Sequence, residues 1–577
     1  MTTTYRIRVL QVIIPIITFI VVTRLFYWQA IRGDDLSAKA ASQHNSVVTL
    51  TARRGQILSS DQSILAGVET RFLLYAYRPQ LEASSQEIVQ KVAPIIASTP
   101  DLATSSAEIL PTSEEKMTAA KELLEQKLES DRSWIALKHH LTREQRQAIE
   151  DLDIKGLGFD EQIVRFYPEA SMSAHLLGVV GQNQQGEPQG YFGLEGYYDR
   201  QLQGRGGRLQ QETDAFGNPI LVGDYTSYSS LDGRTLQTSI NRSLQYQIEK
   251  LLHQALLKYG AIQASAIVMQ PTTGAIIALA NAPQYNPRIF YKFDPNLHKN
   301  PAIADLFEPG SIFKPIVMAA AIDAGAVTPE TKCDSTCDQA VSINQYTIKT
   351  WNDQYHPGTT MTEVIINSDN TGMIFAARRL GKESFLDYIN RFGFSQATGI
   401  DLQEEITPKQ KQINDFKDID LATSSFGQGI AITRIQMLAA ANVIANQGIW
   451  VQPHIVESIK DGDKLISLPS PKNHQVISSE TATLVTQMMI EAVDESTVRW
   501  NRPEGIKVAG KTGTAQIPVS GHYDGDKTIA SFIGFAPAKN PKFTMLVTLR
   551  EPTSSPWGSE TAAPLWFDIA NLLLLAL

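Results

Sequence analysis

Ser311 and Lys314 are the first pair of residues whose types and spacing could do chemistry. Ser311 follows Glu308-Pro-Gly and precedes the apolar run 316–322, which predicts the N-terminus of a helix. Residues at i and i+3 share one face of a helix. A desolvated lysine there could take the serine proton and so create a nucleophile. A serine in this place is equally an ordinary N-cap, so the pair alone leaves both interpretations open.

Ser368 and Asn370 belong to a second motif, Ser-Asp-Asn, which lies between two apolar stretches. A serine hydroxyl donates and accepts and can therefore relay a proton, while an asparagine amide can bind a peptide carbonyl. A polar loop without chemical function is the alternative interpretation.

The third motif is Lys511-Thr512-Gly513-Thr514, for which we predict a strand at the edge of a sheet. A cation and hydroxyls there could bind a carboxylate, and Gly513 would let the backbone approach a substrate closely. The backbone N–H of Thr514, beside that of Ser311, could stabilise an oxyanion. An ordinary turn is the alternative.

The stretch 505–512 also satisfies G-x-x-x-x-G-K-[ST], the pattern of a phosphate-binding loop. Such a loop needs a helix that opens at its Lys-Thr pair. Gly513 and Pro518 follow instead, so we predict no helix and no nucleotide site. The ten histidines include no H-E-x-x-H pattern, and we expect no metal and no cofactor.

Composition narrows the class of protein. The 577 residues exceed one ordinary domain of ~100–150 residues. A net charge of −9 argues against a nucleic-acid-binding protein. Two cysteines exclude a disulfide scaffold and a multi-cysteine metal site. Cys333 and Cys337 stand close together, and both a local disulfide and two free thiols remain open.

An uncharged apolar run, 9–23, follows Arg6 and Arg8. The long side chain of Arg24 can reach along the helix so that its cation lies outside the apolar layer. The aromatic residues after it can lie at the membrane–water interface, which lengthens the span to about residue 30. We predict a single membrane anchor with a cytoplasmic N-terminus, so that the rest of the chain is exported. A cleaved signal peptide is the alternative, because Ala38-Lys-Ala has the form of a cleavage site.

The exported part divides into two regions of different character. Residues 31–95 combine short apolar alternations with turns, and the glycine-rich stretch 156–235 predicts hairpins and loops. Beyond residue 235, strand patterns occur at both ends of the region and helical patterns dominate 311–450. A sheet with strands from both ends and helices between them indicates an α+β fold. The predicted domains are 1–30, 31–235 and 236–577.

In its motifs the chain resembles the class B penicillin-binding proteins, the monofunctional peptidoglycan D,D-transpeptidases. The resemblance lies in five segments, which are 54–57, 192–196, 308–315, 425–430 and 508–516. The chain departs from the family at 59–63, where an Asp-Arg-Asn-Gly turn is common. The resemblance implies an extended, β-rich pedestal (dimerisation-type) domain, followed by a transpeptidase domain with an antiparallel sheet between helices.

The resemblance also implies roles for the motif residues. Ser311 would be acylated by the penultimate D-Ala of a stem peptide, with Lys314 as base and Ser368 as proton relay. Asn370 would orient the donor peptide. The donor's carboxylate would be bound by residues of the third motif, which are Lys511, Thr512, Gly513 and Thr514. An amine of a second stem peptide would then take the acyl group, and β-lactam antibiotics would acylate the same serine.

The partners implied are stem peptides ending in D-Ala-D-Ala, a polytopic membrane glycan polymerase of the shape, elongation, division and sporulation class, and divisome proteins. The length, the short tail and segment 25–33 look more like the septal branch than the elongation branch. A D,D-carboxypeptidase or β-lactamase-like hydrolase and a non-catalytic penicillin sensor are the competing hypotheses. The expected location is the bacterial cytoplasmic membrane, with the catalytic domain outside it.

Overall fold

The structure is a computed structural model that describes residues 3–98, 112–212, 220, 225–409, 411–519 and 522–577. Parts of the predicted hairpin region, 213–219 and 221–224, therefore lie outside the described residues. The elements up to residue 228 are α1 (Thr3–Phe26), α2 (Gly33–His44), β1 (Asn45–Leu50), β2 (Ile57–Leu58), β3 (Ile64–Tyr77), α3 (Ser85–Ala97), α4 (Ser113–Leu128), β4 (Trp134–Leu141), α5 (Arg143–Glu150), β5 (Leu157–Phe166), α6 (Ala174–Leu177), β6 (Val179–Gln182), β7 (Pro188–Tyr191), α7 (Gly193–Tyr197), α8 (Asp199–Leu202), β8 (Gly207–Glu212) and β9 (Tyr225–Tyr228).

The remaining elements are β10 (Thr235–Thr238), α9 (Arg242–Tyr259), β11 (Gln263–Met269), β12 (Ile276–Ala282), α10 (Pro301–Ala304), β13 (Leu306–Phe307), α11 (Lys314–Asp323), β14 (Val341–Ile343), β15 (Tyr346–Ile348), α12 (Met361–Ile366), α13 (Asn370–Leu380), α14 (Lys382–Arg391), α15 (Asp418–Ser424), β16 (Ile432–Thr433), α16 (Arg434–Ala445), β17 (Ile449–Val451), β18 (Val456–Asp461), β19 (Lys464–Ile466), β20 (Asn473–Gln475), α17 (Ser479–Asp494), β21 (Ala509–Val519), β22 (His522–Ala536), β23 (Phe543–Arg550) and α18 (Ala562–Ala576).

The chain forms two compact units, of which the first comprises Met1–Arg53 and Gly204–Gly233. It contains α1, α2 and an antiparallel sheet in the order β1-β8-β9. The stretch Val9–Ile31 is helical, exposed and apolar, with a mean hydropathy of 2.3 over 23 residues. This length and composition suffice to cross a membrane, as expected of an anchor. The orientation of the anchor stays a prediction.

The second unit comprises Arg54–Gln203 and Arg234–Leu577. Its first part is built on a seven-stranded sheet in the order β19-β18-β10-β2-β3-β4, with β5 paired to β3. Strands from both sides of residue 235 share this sheet, and the predicted domain boundary there stays a prediction. Besides strands and turns, the stretch 31–95 contains α2 and most of α3. Ser84 caps α3 by accepting a hydrogen bond from the Glu87 N–H.

A buried charge cluster joins three separate segments of this first part. The Glu195 carboxylate is fully buried and accepts from Arg54 Nε at 2.6 Å and from Arg165 Nε at 2.5 Å. Arg54 also donates to Asp199 Oδ1 at 2.7 Å. Separating any of these segments from the others would leave a buried charge without its partner, which is costly. The cluster therefore holds the start of the unit, β5 and α7 together.

The remaining part of the second unit is centred on a five-stranded antiparallel sheet in the order β12-β11-β23-β22-β21. Helices α9 and α18 pack on one face, and α16 packs on the other with α11 behind it. Helix α11 is buried on every side from Lys314 to Ile322, which explains its unbroken apolar sequence. The α+β prediction, with an antiparallel sheet sandwiched by helices, is confirmed.

Candidate active site

Ser311 lies in the 3₁₀ turn Gly310–Phe313, which leads directly into α11. Gly310 adopts a positive φ of 58°, and its N–H donates to Gly427 O at 3.0 Å. Gly427 also has a positive φ, 83°, and a Cβ there would lie 2.2 Å from Gly310 O. The block 425–430 therefore supports the turn that carries Ser311, and only glycine fits at this contact.

Lys314 begins α11, and its fully buried side chain runs to the second motif. Its Nζ donates to Ser368 O at 2.6 Å, to Ser368 Oγ at 3.2 Å and to Asn370 Oδ1 at 2.8 Å. The Asn370 amide also donates to Lys349 O at 2.9 Å. The structure thus links the first and second motifs through one lysine, between α11 and the start of α13.

Burial sets the protonation of Lys314. Desolvation holds the pKa of its amine well below the usual lysine value, and the nearby Lys511 lowers the pKa further. The Asp369 carboxylate opposes this shift by favouring the charged form. The net lowering increases the share of neutral amine, which is the form that can accept the proton of Ser311.

Lys511, Thr512, Gly513 and Thr514 lie in β21, the edge strand of the sheet, as the sequence predicts. No helix opens at Lys511, so the phosphate-loop pattern lacks its structural context. Burial lowers the pKa of Lys511 to about 8. Thr514 Oγ1 accepts from the Gly558 N–H at 3.0 Å.

Gly513 lets the third motif lie directly against the turn that carries Ser311. A Cβ at this position would lie 2.9 Å from Ile312 Cγ2 and 2.5 Å from Ser531 Oγ. Such distances are shorter than van der Waals contact, so a side chain would push the edge strand away from Ser311.

A cleft of about 400 Å³ is lined by residues of all three motifs. Its lining includes Ser311, Ser368, Lys511, Thr512, Gly513 and Thr514. Lys314 lies beneath this lining through its bonds to Ser368. Asn370 is not part of the lining: its amide oxygen accepts from Lys314 Nζ and its amide nitrogen donates to Lys349 O.

Three residues of the cleft were missed by sequence reasoning. Trp351 and Trp557 meet edge to face at its mouth, with ring centroids 5.4 Å apart. His356 also lines the cleft and lies 3.8 Å from the Asp369 carboxylate, measured from Nδ1 to Oδ2. Each stands in a loop without periodicity, so nothing local in the sequence marks it.

Cys333 and Cys337 form a disulfide in the structure, with an S–S distance of 2.00 Å. The Cys333 N–H donates to Thr359 O at 2.8 Å. The disulfide segment therefore contacts the end of the loop that carries His356.

A serine in a turn before a buried helix, a buried lysine behind it and a Lys-Thr-Gly-Thr edge strand define a serine acyltransferase site. The model of the penicillin-binding protein transpeptidase domain matches residues 264–571, and that of the penicillin-binding protein dimerisation domain matches residues 49–238. The chain belongs to the class B penicillin-binding proteins.

Known relatives cover nearly the whole chain. Stage V sporulation protein D of Bacillus subtilis is 32% identical over 575 residues, covering 97% of this chain and 84% of that protein. The penicillin-binding protein PbpB of Mycobacterium tuberculosis is 28% identical over 588 residues, covering 99% and 84%. The crystal structure of penicillin-binding protein 2X from Streptococcus thermophilus superposes with a TM-score of 0.71 at 22% identity, over 92% of this chain and 80% of that one.

Proposed function

We propose that this protein cross-links peptidoglycan stem peptides through an acyl-enzyme on Ser311. The observation that carries the proposal is the buried Lys314 amine, which contacts Ser368 beneath the cleft that Ser311 and Lys511 line. Transpeptidases with this domain are named among the relatives, including a peptidoglycan D,D-transpeptidase FtsI of Buchnera aphidicola that is 28% identical.

In the first half-reaction, Ser311 Oγ attacks the carbonyl carbon of the penultimate D-Ala. Lys314 accepts the hydroxyl proton, and the Ser368 hydroxyl passes a proton to the departing amine of the terminal D-Ala. Lys511 and the hydroxyls of Thr512 and Thr514 bind the donor's carboxylate. The peptide C–N bond breaks, an ester to Ser311 forms, and free D-alanine leaves. A β-lactam ring opens by the same attack and leaves the ester in place.

In the second half-reaction, an amine of another stem peptide attacks the ester carbon. A new amide bond forms and the bond to Ser311 Oγ breaks, which regenerates the hydroxyl. The backbone N–H groups of Ser311 and Thr514 serve as the proposed oxyanion hole in both halves. The competing hydrolase would deliver water to the same ester.

The fate of the acyl group distinguishes these activities. Purified protein is incubated with a peptide ending in D-Ala-D-Ala and an added labelled D-amino acid, and the products are separated by mass. The proposal predicts a labelled product from transfer to the amine. A product shortened by one D-Ala and carrying no label would indicate a carboxypeptidase instead.

For the cellular role, we propose septal wall synthesis beside a polytopic glycan polymerase and divisome proteins. The apolar stretch Val9–Ile31, with Arg6 and Arg8 before it, supports a single-pass protein whose catalytic part lies outside the cytoplasmic membrane. Depletion in its native cells is expected to produce filaments. Spherical cells on depletion would assign the protein to the elongation branch.

A further inference from the structure

Two polar atoms beside the second motif lie close together, without other partners among the described residues. His356 Nδ1 and Asp369 Oδ2 are buried, and neither has a hydrogen-bond partner among the described residues. They lie 3.8 Å apart, which is longer than a hydrogen bond and short enough for a small ring rotation to form one. Buried polar atoms normally find partners, so an unpaired pair that faces each other indicates function.

Asp369 cannot turn its carboxylate elsewhere. Its other oxygen, Oδ1, accepts from the backbone N–H groups of Thr371 and Gly372 and from the Thr371 hydroxyl, at 2.8, 3.3 and 2.8 Å respectively. The side chain is 2% exposed. The cap of α13 therefore fixes Oδ2 in the direction of His356.

His356 presents its other edge to the cleft. Its side chain is 39% exposed although Nδ1 is buried, and the residue lines the cleft that holds Ser311. A neutral imidazole carries its proton on one nitrogen only. A carboxylate beside Nδ1 favours the proton there, which leaves the lone pair on Nε2 facing the cleft.

We propose that His356 is the base for the acceptor amine, with Asp369 as its positioning residue. The inference rests on the proposed transfer function and deepens it. An aliphatic acceptor amine arrives as an ammonium ion, which has no lone pair for attack. His356 Nε2 takes one ammonium proton, the free amine attacks the Ser311 ester, and the C–Oγ bond breaks. The second nitrogen proton reaches Ser311 Oγ through Ser368 and Lys314, and the imidazolium releases its proton to solvent.

The charges of the cleft fit a cationic acceptor. Glu495 and Glu560 line the cleft together with His356, and their carboxylates attract an ammonium group. The cation of Lys511, itself buried, belongs to the same lining, at the place proposed for the donor's carboxylate. The cleft therefore offers a positive charge to the donor's carboxylate and negative charges to the acceptor's ammonium group.

The test compares two acceptors of different basicity on the full-length protein. An N-acyl-D-alanyl thioester first acylates Ser311. Aminolysis of the ester is then followed with two amines. D-Alanine is an ammonium ion at neutral pH, whereas hydroxylamine is already a free base. In His356→Gln, transfer to D-alanine is expected to fall by about 100-fold because one proton acceptor is lost. Transfer to hydroxylamine should fall far less.

Asp369→Asn keeps a capping oxygen for α13 but removes the charge behind the imidazole. The D-alanine to hydroxylamine ratio should fall in this variant too, whereas the exposed His139→Gln should leave it at the wild-type value. An equal loss with both acceptors in His356→Gln, or an unchanged ratio, would overturn the assignment. If the wild-type protein is acylated but transfers to neither amine, the proposed function itself fails, and the dyad's role with it.

Discussion

Lys314 Nζ lies 3.2 Å from Ser368 Oγ, and this contact joins the helix after Ser311 to the loop before α13. The amine is wholly buried and its pKa is lowered, which favours the neutral form that the proposed mechanism requires of a proton acceptor. Ser368, with a positive φ of 55°, holds its hydroxyl and its carbonyl toward the same nitrogen.

Replacing Lys314 with methionine keeps the buried volume and removes the base. We expect the rate constant for acylation by penicillin to fall by about 10²–10⁴-fold, the usual contribution of a general base. Stopped-flow acylation measures it, and the exposed Lys250→Met on α9 serves as the matched control. Acylation at the wild-type rate in Lys314→Met would remove the lysine from the mechanism.

The lowered pKa of Lys511 predicts that the donor's carboxylate binds more weakly at alkaline pH. Burial lowers its pKa to about 8, so the ammonium is present below that pH and is lost as the pH rises through it. The acylation efficiency of a penicillin bearing its carboxylate should therefore decline above pH ~8. The corresponding penicillin methyl ester has no carboxylate and should show no such decline; a decline shared by both compounds would speak against a role in carboxylate binding.

Gly427→Ala tests the support of the turn that carries Ser311. The substitution adds the strain of a positive φ, and its Cβ would also collide with Gly310 O. Gly325 has a positive φ as well but open space around it, so Gly325→Ala isolates the backbone cost of about 1–2 kcal/mol. We expect both variants to unfold at a lower temperature than the wild type, which thermal melts measure. Only Gly427→Ala should react slowly with penicillin, which acylation kinetics measure.

Glu195→Gln tests the buried charge cluster of the non-catalytic part. The change leaves the guanidinium groups of Arg54 and Arg165 without their shared carboxylate, a loss of about 3–5 kcal/mol in the free energy of unfolding. Asp131→Asn removes the fully exposed partner of Arg78 and should change stability little. Denaturant unfolding compares the two, and equal stabilities would show that the cluster does not hold these segments together.

The sequence indicated the catalytic motifs because each depends on neighbours only a few residues apart. The helical pattern after Ser311 and the strand around Lys511 are local properties, and the structure has both. The partners of Lys314 lie more than 50 residues further along the chain. Their contact with the lysine depends on how the helices pack, which local sequence patterns do not predict. His356 could not have been singled out, because its partner Asp369 lies beyond a loop and α12.

The first part of the second unit was harder to predict for the same reason. Its sheet joins β2 to β10 in parallel and β10 to β18, so strands far apart in the sequence lie side by side. Helix α3 carries apolar residues at helical spacing and a serine cap, two local signals of a helix. The apolar helix Val9–Ile31, by contrast, depends on composition alone and was apparent from the sequence.

Mass spectrometry of the protein after reaction with a fluorescent penicillin tests the central claim most directly. The wild type should carry one covalent adduct, on the tryptic peptide that contains Ser311, and Ser311→Ala should carry none while melting at the wild-type temperature. An adduct on another serine, or equal labelling of folded Ser311→Ala, would contradict the assignment of Ser311 as the acylated nucleophile.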